Sequence, residues 1–187
     1  MCKIHAYQLI PEISRKCNIA CKHCLRGPAQ RKVMSEDVVE RIFEIFDMTQ
    51  TEITFGGGEP TLALDVIELF VNRLNSLYAF YIVTNGKVYH KKLVELCDKL
   101  YNMSEEQEMC GLAFSSDMFH EEFVPYDKLR KNIWKYTINE IEDSYIGFTS
   151  INPDYRHLSG SEIVHYPTRQ EYRIWNHAKA VDLNNLR

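Results

Sequence analysis

Three of the chain's six cysteines stand within eight residues: Cys17-Asn18-Ile19-Ala20-Cys21-Lys22-His23-Cys24, a C-x3-C-x2-C loop. Three thiolates on one short loop can take three corners of an iron–sulfur cubane or three positions around a zinc ion. A [4Fe–4S] cluster ordinarily has a cysteine on every iron. Three cysteines leave one iron open, and an open position is how a metal site admits a reactant. Zinc would need a further ligand, which His5 or His23 could supply; the spacing favours iron–sulfur. A second constellation is Phe55-Gly56-Gly57-Gly58-Glu59-Pro60. Glycines let a ligand approach the backbone closely, in conformations other residues avoid. Glu59 offers a carboxylate to an ammonium group, and Pro60 can open a helix. Alone, the same composition also makes a tight turn.

The elements that must position these residues alternate in type. Ala6 to Ile13 reads as a strand running into the cysteine loop. Ser35 can cap a helix with Glu36 and Asp37 in its first turn. Val38, Val39, Ile42, Phe43 and Phe46 then give the spacing of one buried helical face. Glu52 to Phe55 is a short strand ending in the glycine run, and Leu64 to Leu77 a helix marked by Ile67, Phe70, Val71 and Leu74. Tyr78 to Val83 is a continuous apolar strand, the kind buried on both faces of a parallel sheet, and stops at Thr84-Asn85-Gly86. A third helix carries Leu93, Leu96, Cys97, Leu100 and Tyr101. A strand from Gly111 to Phe114 ends in Ser115-Ser116-Asp117, followed by a helix around Tyr126 to Ile138 and a strand near Tyr145 to Thr149. Beyond Ile151 the pattern weakens; Ile163 to Tyr166 and Tyr172 to Trp175 read as strands, and Asn176 to Asn184 as a short helix or tail.

Such alternation predicts an α/β fold with a parallel sheet. Its polar or glycine-rich punctuation falls at the C-terminal ends of strands, the edge where parallel sheets and barrels bind ligands. The cysteine loop, the glycine run, Thr84-Asn85-Gly86 and Ser115 to Asp117 should therefore meet at one rim. Cys97 reads as a small core residue of its helix. Cys110 and Cys2 have no close cysteine partner in sequence, so a second cluster is not expected.

The chain has 187 residues, 45% of them hydrophobic and 26% charged, which excludes collagen-like, disordered and coiled-coil classes. Its 22 basic and 26 acidic residues give a net charge of −4 and argue against binding nucleic acid by phosphate neutralisation. Runs such as Tyr78 to Val83 are far short of the roughly 20 residues a membrane-spanning helix needs. The N-terminus lacks a stretch of signal-peptide character, and clustered thiols suit a reducing compartment, so a cytoplasmic protein is expected.

Taken together, the two motifs closely resemble the radical S-adenosylmethionine (radical SAM) superfamily. That family's C-x3-C-x-aromatic-C signature maps onto Cys17, Cys21, His23 and Cys24, with histidine in the aromatic slot. Its Gly-Gly-Glu-Pro motif maps onto Gly57, Gly58, Glu59 and Pro60. Thr84-Asn85-Gly86 resembles the ending of the family's third strand, and Ser115-Ser116-Asp117 its fourth-strand S-x-D pattern. The resemblance spans about residues 6 to 150. It implies a partial (β/α) barrel of five to six parallel strands with a [4Fe–4S] cluster on Cys17, Cys21 and Cys24. It further implies an oxidoreductase-type reaction in which the cluster, fed by an external one-electron donor, cleaves S-adenosylmethionine (SAM) into methionine and a 5′-deoxyadenosyl radical that abstracts hydrogen from a substrate. Gly57, Gly58 and Glu59 would hold the methionine ammonium. Asn85, Ser115 and Asp117 would meet the ribose and carboxylate, and His23 would lie near the adenine.

Residues 1–150 are thus expected to form the cluster-bearing core. Residues 151–187 would complete or flank the barrel, without an auxiliary-cluster domain. That last segment mixes His157, His165 and His177 with Tyr155, Tyr166, Tyr172, Arg169, Arg173 and Trp175. Such a mixture can stack bases, line a substrate pocket or cover a barrel edge. A short core leaves a wide mouth, which suits a peptide or protein substrate. Two other readings stand beside this one: an activase that places a glycyl radical on a partner enzyme, and a non-catalytic zinc-binding module.

Overall fold

A computed structural model describes residues 3–22, 24, 26–116, 118–138 and 146–149. The elements, in chain order, are β1 (Ile4–His5), β2 (Gln8–Leu9), β3 (Glu12–Ser14), α1 (Glu36–Ile45), β4 (Phe46–Asp47) and β5 (Glu52–Gly57). A 3-10 turn, Pro60–Ala63, leads into α2 (Leu64–Arg73) and then β6 (Ala79–Thr84) and α3 (Lys91–Met103). The 3-10 turn Gln107–Met109 precedes β7 (Gly111–Ser115), α4 (Met118–Glu121), α5 (Tyr126–Ile138) and β8 (Ile146–Thr149).

The main sheet runs β2-β5-β6-β7-β8, with β3 also on β5, and every pairing in it is parallel. Among the described residues its end strands β2 and β8 are not paired with each other, so the described strands form an open, partial (β/α) barrel. β1 and β4 form a separate two-stranded parallel pair that the sequence pattern does not announce.

The expected first strand, Ala6 to Ile13, is broken in two. Pro11 has no N–H to give to a ladder, yet its carbonyl still accepts from Gly56 N–H at 3.1 Å. The offset of 44 positions from β2 to β5 carries over to the Glu12–Gly56 pair and slips by one at Ser14–Gly57. That slip turns the chain from the sheet into the cysteine loop.

β6 matches the apolar run, with Ala79, Phe80, Tyr81 and Ile82 all buried. On the helical side, the Phe70 ring stands 5.4 Å from that of Phe55 and 5.6 Å from that of Phe43, joining β5, α2 and α1 in one core. Val39 is fully buried, whereas Val38, expected on the same face, is 46% exposed. Adjacent helical positions differ by about 100° in direction, so the stripe of Val39, Ile42 and Phe43 leaves Val38 outside. Ser35 takes the extended N-cap conformation but makes no side-chain cap hydrogen bond. α2 ends at Arg73, before the expected Leu77; Leu74 returns to extended backbone. α3, α5 and the strands β7 and β8 lie where the pattern puts them. The elements expected beyond Ile151 lie outside the described residues.

Candidate active site

Because the sheet is parallel, β3, β5, β6, β7 and β8 all end on one edge, at Ser14, Gly57, Thr84, Ser115 and Thr149. The cysteine loop leaves β3 at that edge and comes back antiparallel. Arg15 N–H donates to the Lys32 carbonyl, Gln30 N–H to Arg15, and Met34 N–H to Ile13, at 2.8–2.9 Å. Within the loop Cys24 N–H donates to the Cys21 carbonyl and Gly27 N–H to that of Cys24, each at 3.1 Å. Glu12 pairs with both Arg15 and Arg26, which closes the base of the loop.

Cys17 and Cys21 are half-buried, Cys24 is exposed, and all three are thiols rather than disulfides. Burial is the main cause that pushes the Cys17 thiol up from its ordinary value. The Ile19 backbone partly offsets this, while the Glu59 carboxylate and Cys24 add to it. The cysteine and glycine motifs are therefore within electrostatic reach of one another.

The glycine run owes its composition to the chain's own backbone. A Cβ on Gly57 would stand 2.2 Å from the Ser14 carbonyl oxygen, and one on Gly58 would stand 2.3 Å from that of Lys16. Gly57 also has φ +142°, open essentially to glycine. Gly58 N–H donates to Ser14 at 2.6 Å and Glu59 N–H to Lys16 at 2.7 Å, so the end of β5 lies directly against the entry to the cysteine loop. Gly56 is less constrained: the nearest atom to its Cβ position is the far end of Arg26, at 3.5 Å.

Glu59 is 1% exposed and is the N-cap of the 3-10 turn that Pro60 begins. Its Oε1 accepts from Thr61 N–H (3.1 Å), Thr61 Oγ1 (2.6 Å) and Thr84 Oγ1 (2.7 Å), and its Oε2 from Asn85 N–H (2.8 Å). A buried carboxylate is stable only when paired or hydrogen-bonded, and these donors come from the turn after β5, the last residue of β6 and the residue that follows it. Asn85 is also buried; its Nδ2 donates to Asn18 Oδ1 at 2.8 Å and its Oδ1 accepts from Lys87 N–H at 2.9 Å. Lys87 Nζ donates to the Asn18 carbonyl at 2.8 Å. Asn132 of α5 donates to the Gly86 carbonyl at 2.8 Å, and Gly86, at φ +64°, has no room for a Cβ beside Leu129. Ser115 is half-buried and lines a small recess with Ser116, His120 and Glu121. His23 and Asp117 lie outside the described residues.

The structure thus gathers Cys17, Cys21, Cys24, Gly57, Gly58, Glu59 and Asn85 around one corner of the rim. Sequence reading alone missed Asn18, Thr61, Lys87 and Asn132. Thr61 carried a usable signal, because an acid before Pro-Thr is a helix-opening pattern; the others carried none.

Among the described residues no three His, Cys, Asp or Glu side chains converge on one metal ion. A cubane takes each thiolate on a different iron, so its donors need not converge. Three unbridged cysteines on one backbone-anchored loop are a donor set that fits it.

A family model of the radical SAM superfamily matches residues 12–145, and the chain belongs to that superfamily. Two solved structures share its fold, each with a TM-score of 0.52 over 90% of this chain: hexahistidine-tagged anSMEcpe with bound AdoMet, 16% identical, and native anSMEcpe with bound AdoMet and the Cp18Cys peptide, 17% identical. An uncharacterized protein of Methanocaldococcus jannaschii is 27% identical over 101 residues, covering 49% of this chain and 35% of its own length. The chain spans about half the length of the two solved structures and about a third of that relative. No helix among the described residues is long and apolar enough to cross a membrane.

Proposed function

We propose that this chain is the SAM-cleaving core of a radical enzyme, with Cys17, Cys21 and Cys24 as the ligands of a [4Fe–4S] cluster and one iron left for SAM. The observation that carries the reading is the junction of the two motifs: three unbridged cysteines on a loop whose entry is hydrogen-bonded, backbone to backbone, to Gly58 and Glu59. When bound, the cluster supplies the electron that splits SAM into methionine and a 5′-deoxyadenosyl radical, the species that removes hydrogen from a substrate. The chain's own work is to bind and orient. Glu59 fixes the ends of β5 and β6 relative to each other, and the Gly57–Glu59 segment it steadies would hold the methionine ammonium of bound SAM. Ser115 stands at the neighbouring strand end, within the same rim, to meet the polar groups of SAM. Asp117 and His23 would complete that shell.

A peptide or protein side chain is the substrate class we favour. One of the similar structures, whose fold this chain shares, holds a peptide as well as AdoMet. Clustered cysteines of this kind suit a reducing compartment such as the cytoplasm, and an external one-electron donor would feed the cluster.

The test is cluster loading. Purified without oxygen and reconstituted, the protein should be brown and hold about four irons and as many sulfides, the content of one cubane. Cys21→Ala should lose both. A colourless protein with a single zinc would leave a structural metal module in its place.

A further inference from the structure

The cysteine loop is held at a second point, beyond its base. Asn18, directly after the first cysteine, is gripped twice by the segment that follows β6: Asn85 Nδ2 donates to its side-chain oxygen and Lys87 Nζ to its carbonyl, each at 2.8 Å. That segment is itself fixed from two other sides. Glu59 accepts from Thr84 and from Asn85 N–H, and Asn132 of α5 donates to the carbonyls of Gly86 and Lys87. Gly86 is packed against Leu129 and Phe114 too closely for any side chain of its own. The donors therefore sit on rigid backbone, while the loop they hold includes exposed positions.

We propose that Asn85 and Lys87 are positioning residues: a clamp that holds Asn18, and with it the cysteine loop, in one conformation before any cluster is present. Asn85 spends both ends of its amide on this segment and the loop, in a role distinct from the SAM contact its place in the sequence suggests. Lys87 adds a second element, a cation beside the loop. Three thiolates and their cluster carry negative charge, and an ammonium held against the loop favours the more reduced, more negative state. Only the second element rests on the proposed function; the clamp exists in the metal-free chain.

The clamp is tested on the metal-free protein by hydrogen exchange of the loop amides and by the rate at which Cys17 reacts with iodoacetamide. Cys97 and Cys110, both buried, report on global opening. Asn18→Ala and Lys87→Met should each speed loop exchange about tenfold, roughly what one well-made hydrogen bond contributes. The double variant should be faster still, and Lys87→Arg, which keeps a cationic donor, should stay near the wild-type rate. Cys97 and Cys110 should remain unreactive throughout.

Unchanged loop exchange in both single variants would overturn the clamp. So would simultaneous exposure of Cys97 and Cys110, which would make Asn18 and Lys87 supports of the whole fold. In the reconstituted protein, the midpoint potential should move to more negative values in Lys87→Met and less so in Lys87→Arg; equal potentials would remove the electrostatic role. A wild-type chain that takes up no iron would instead sink the proposed function and leave the exchange result standing.

Discussion

Removing the Glu59 carboxylate should damage the protein before any cofactor is considered. In Glu59→Ala the two hydroxyls that lose their acceptor, on Thr61 and Thr84, can rotate toward other partners. The backbone N–H groups of Thr61 and Asn85 cannot, and both now donate hydrogen bonds to that carboxylate at 3.1 and 2.8 Å. An orphaned buried donor costs roughly 1–3 kcal/mol, so the two amides alone put the loss at about 4 kcal/mol. That is a large part of the stability of a typical domain. Glu59→Gln keeps the volume and one oxygen but turns an NH2 group toward a donor, and should cost about 2 kcal/mol. Urea unfolding of the metal-free protein, followed by far-UV circular dichroism, reads both values. An alanine variant within about 1 kcal/mol of wild type would refute the reasoning, because a carboxylate that reaches toward a ligand carries little folding energy of its own.

The glycine run should respond unevenly. Gly57→Ala and Gly58→Ala should each cost about 3 kcal/mol, since each Cβ meets a carbonyl oxygen of backbone that is itself hydrogen-bonded to the glycine run. Gly56→Ala should stay within about 0.5 kcal/mol, as its Cβ would meet nothing closer than an ordinary contact at 3.5 Å; the same unfolding assay separates them. At the surface, the Lys92 ammonium, 2.6 Å from Asp65, holds that carboxyl below its usual range. A depressed carboxyl contributes stability above its unfolded pKa of about 3.9 and loses it as pH falls through the folded value. Asp65→Asn should therefore lower the urea midpoint at neutral pH, with the difference fading as pH falls through the lowered folded pKa of Asp65.

Much of this organisation can be read from local pattern. The alternation of apolar runs and helical stripes gives the order of strands and helices from β5 to β8. Parallel pairing then requires the cysteine loop, the glycine run and Thr84-Asn85-Gly86 to share an edge. What stays hidden is set by contacts between distant residues. Glu59 and Thr84 are 25 positions apart, and Asn18 and Asn85 are 67 apart. Neither pairing leaves a periodic trace, so Glu59 reads as a carboxylate offered to an ammonium group, and nothing local marks what holds Asn18. The glycines read as room for a ligand, whereas the backbone of Ser14 to Lys16 fills the space beside Gly57 and Gly58. Short elements fare no better. β1 and β4 are two residues each, too brief for a period to show. The break at Pro11 is legible only after the missing N–H is weighed against the apolar alternation around it.

The central claim is that the cysteine loop and the glycine run together present SAM to a cluster for reductive cleavage. Release of 5′-deoxyadenosine, followed by chromatography after a strong one-electron reductant is added to the anaerobically reconstituted protein with SAM and no other substrate, tests it most directly. The account predicts slow formation of 5′-deoxyadenosine with one methionine per molecule, abolished in Cys17→Ala, Cys21→Ala and Cys24→Ala. A fully loaded cluster that yields neither product, or a yield unchanged when those cysteines are removed, would contradict it.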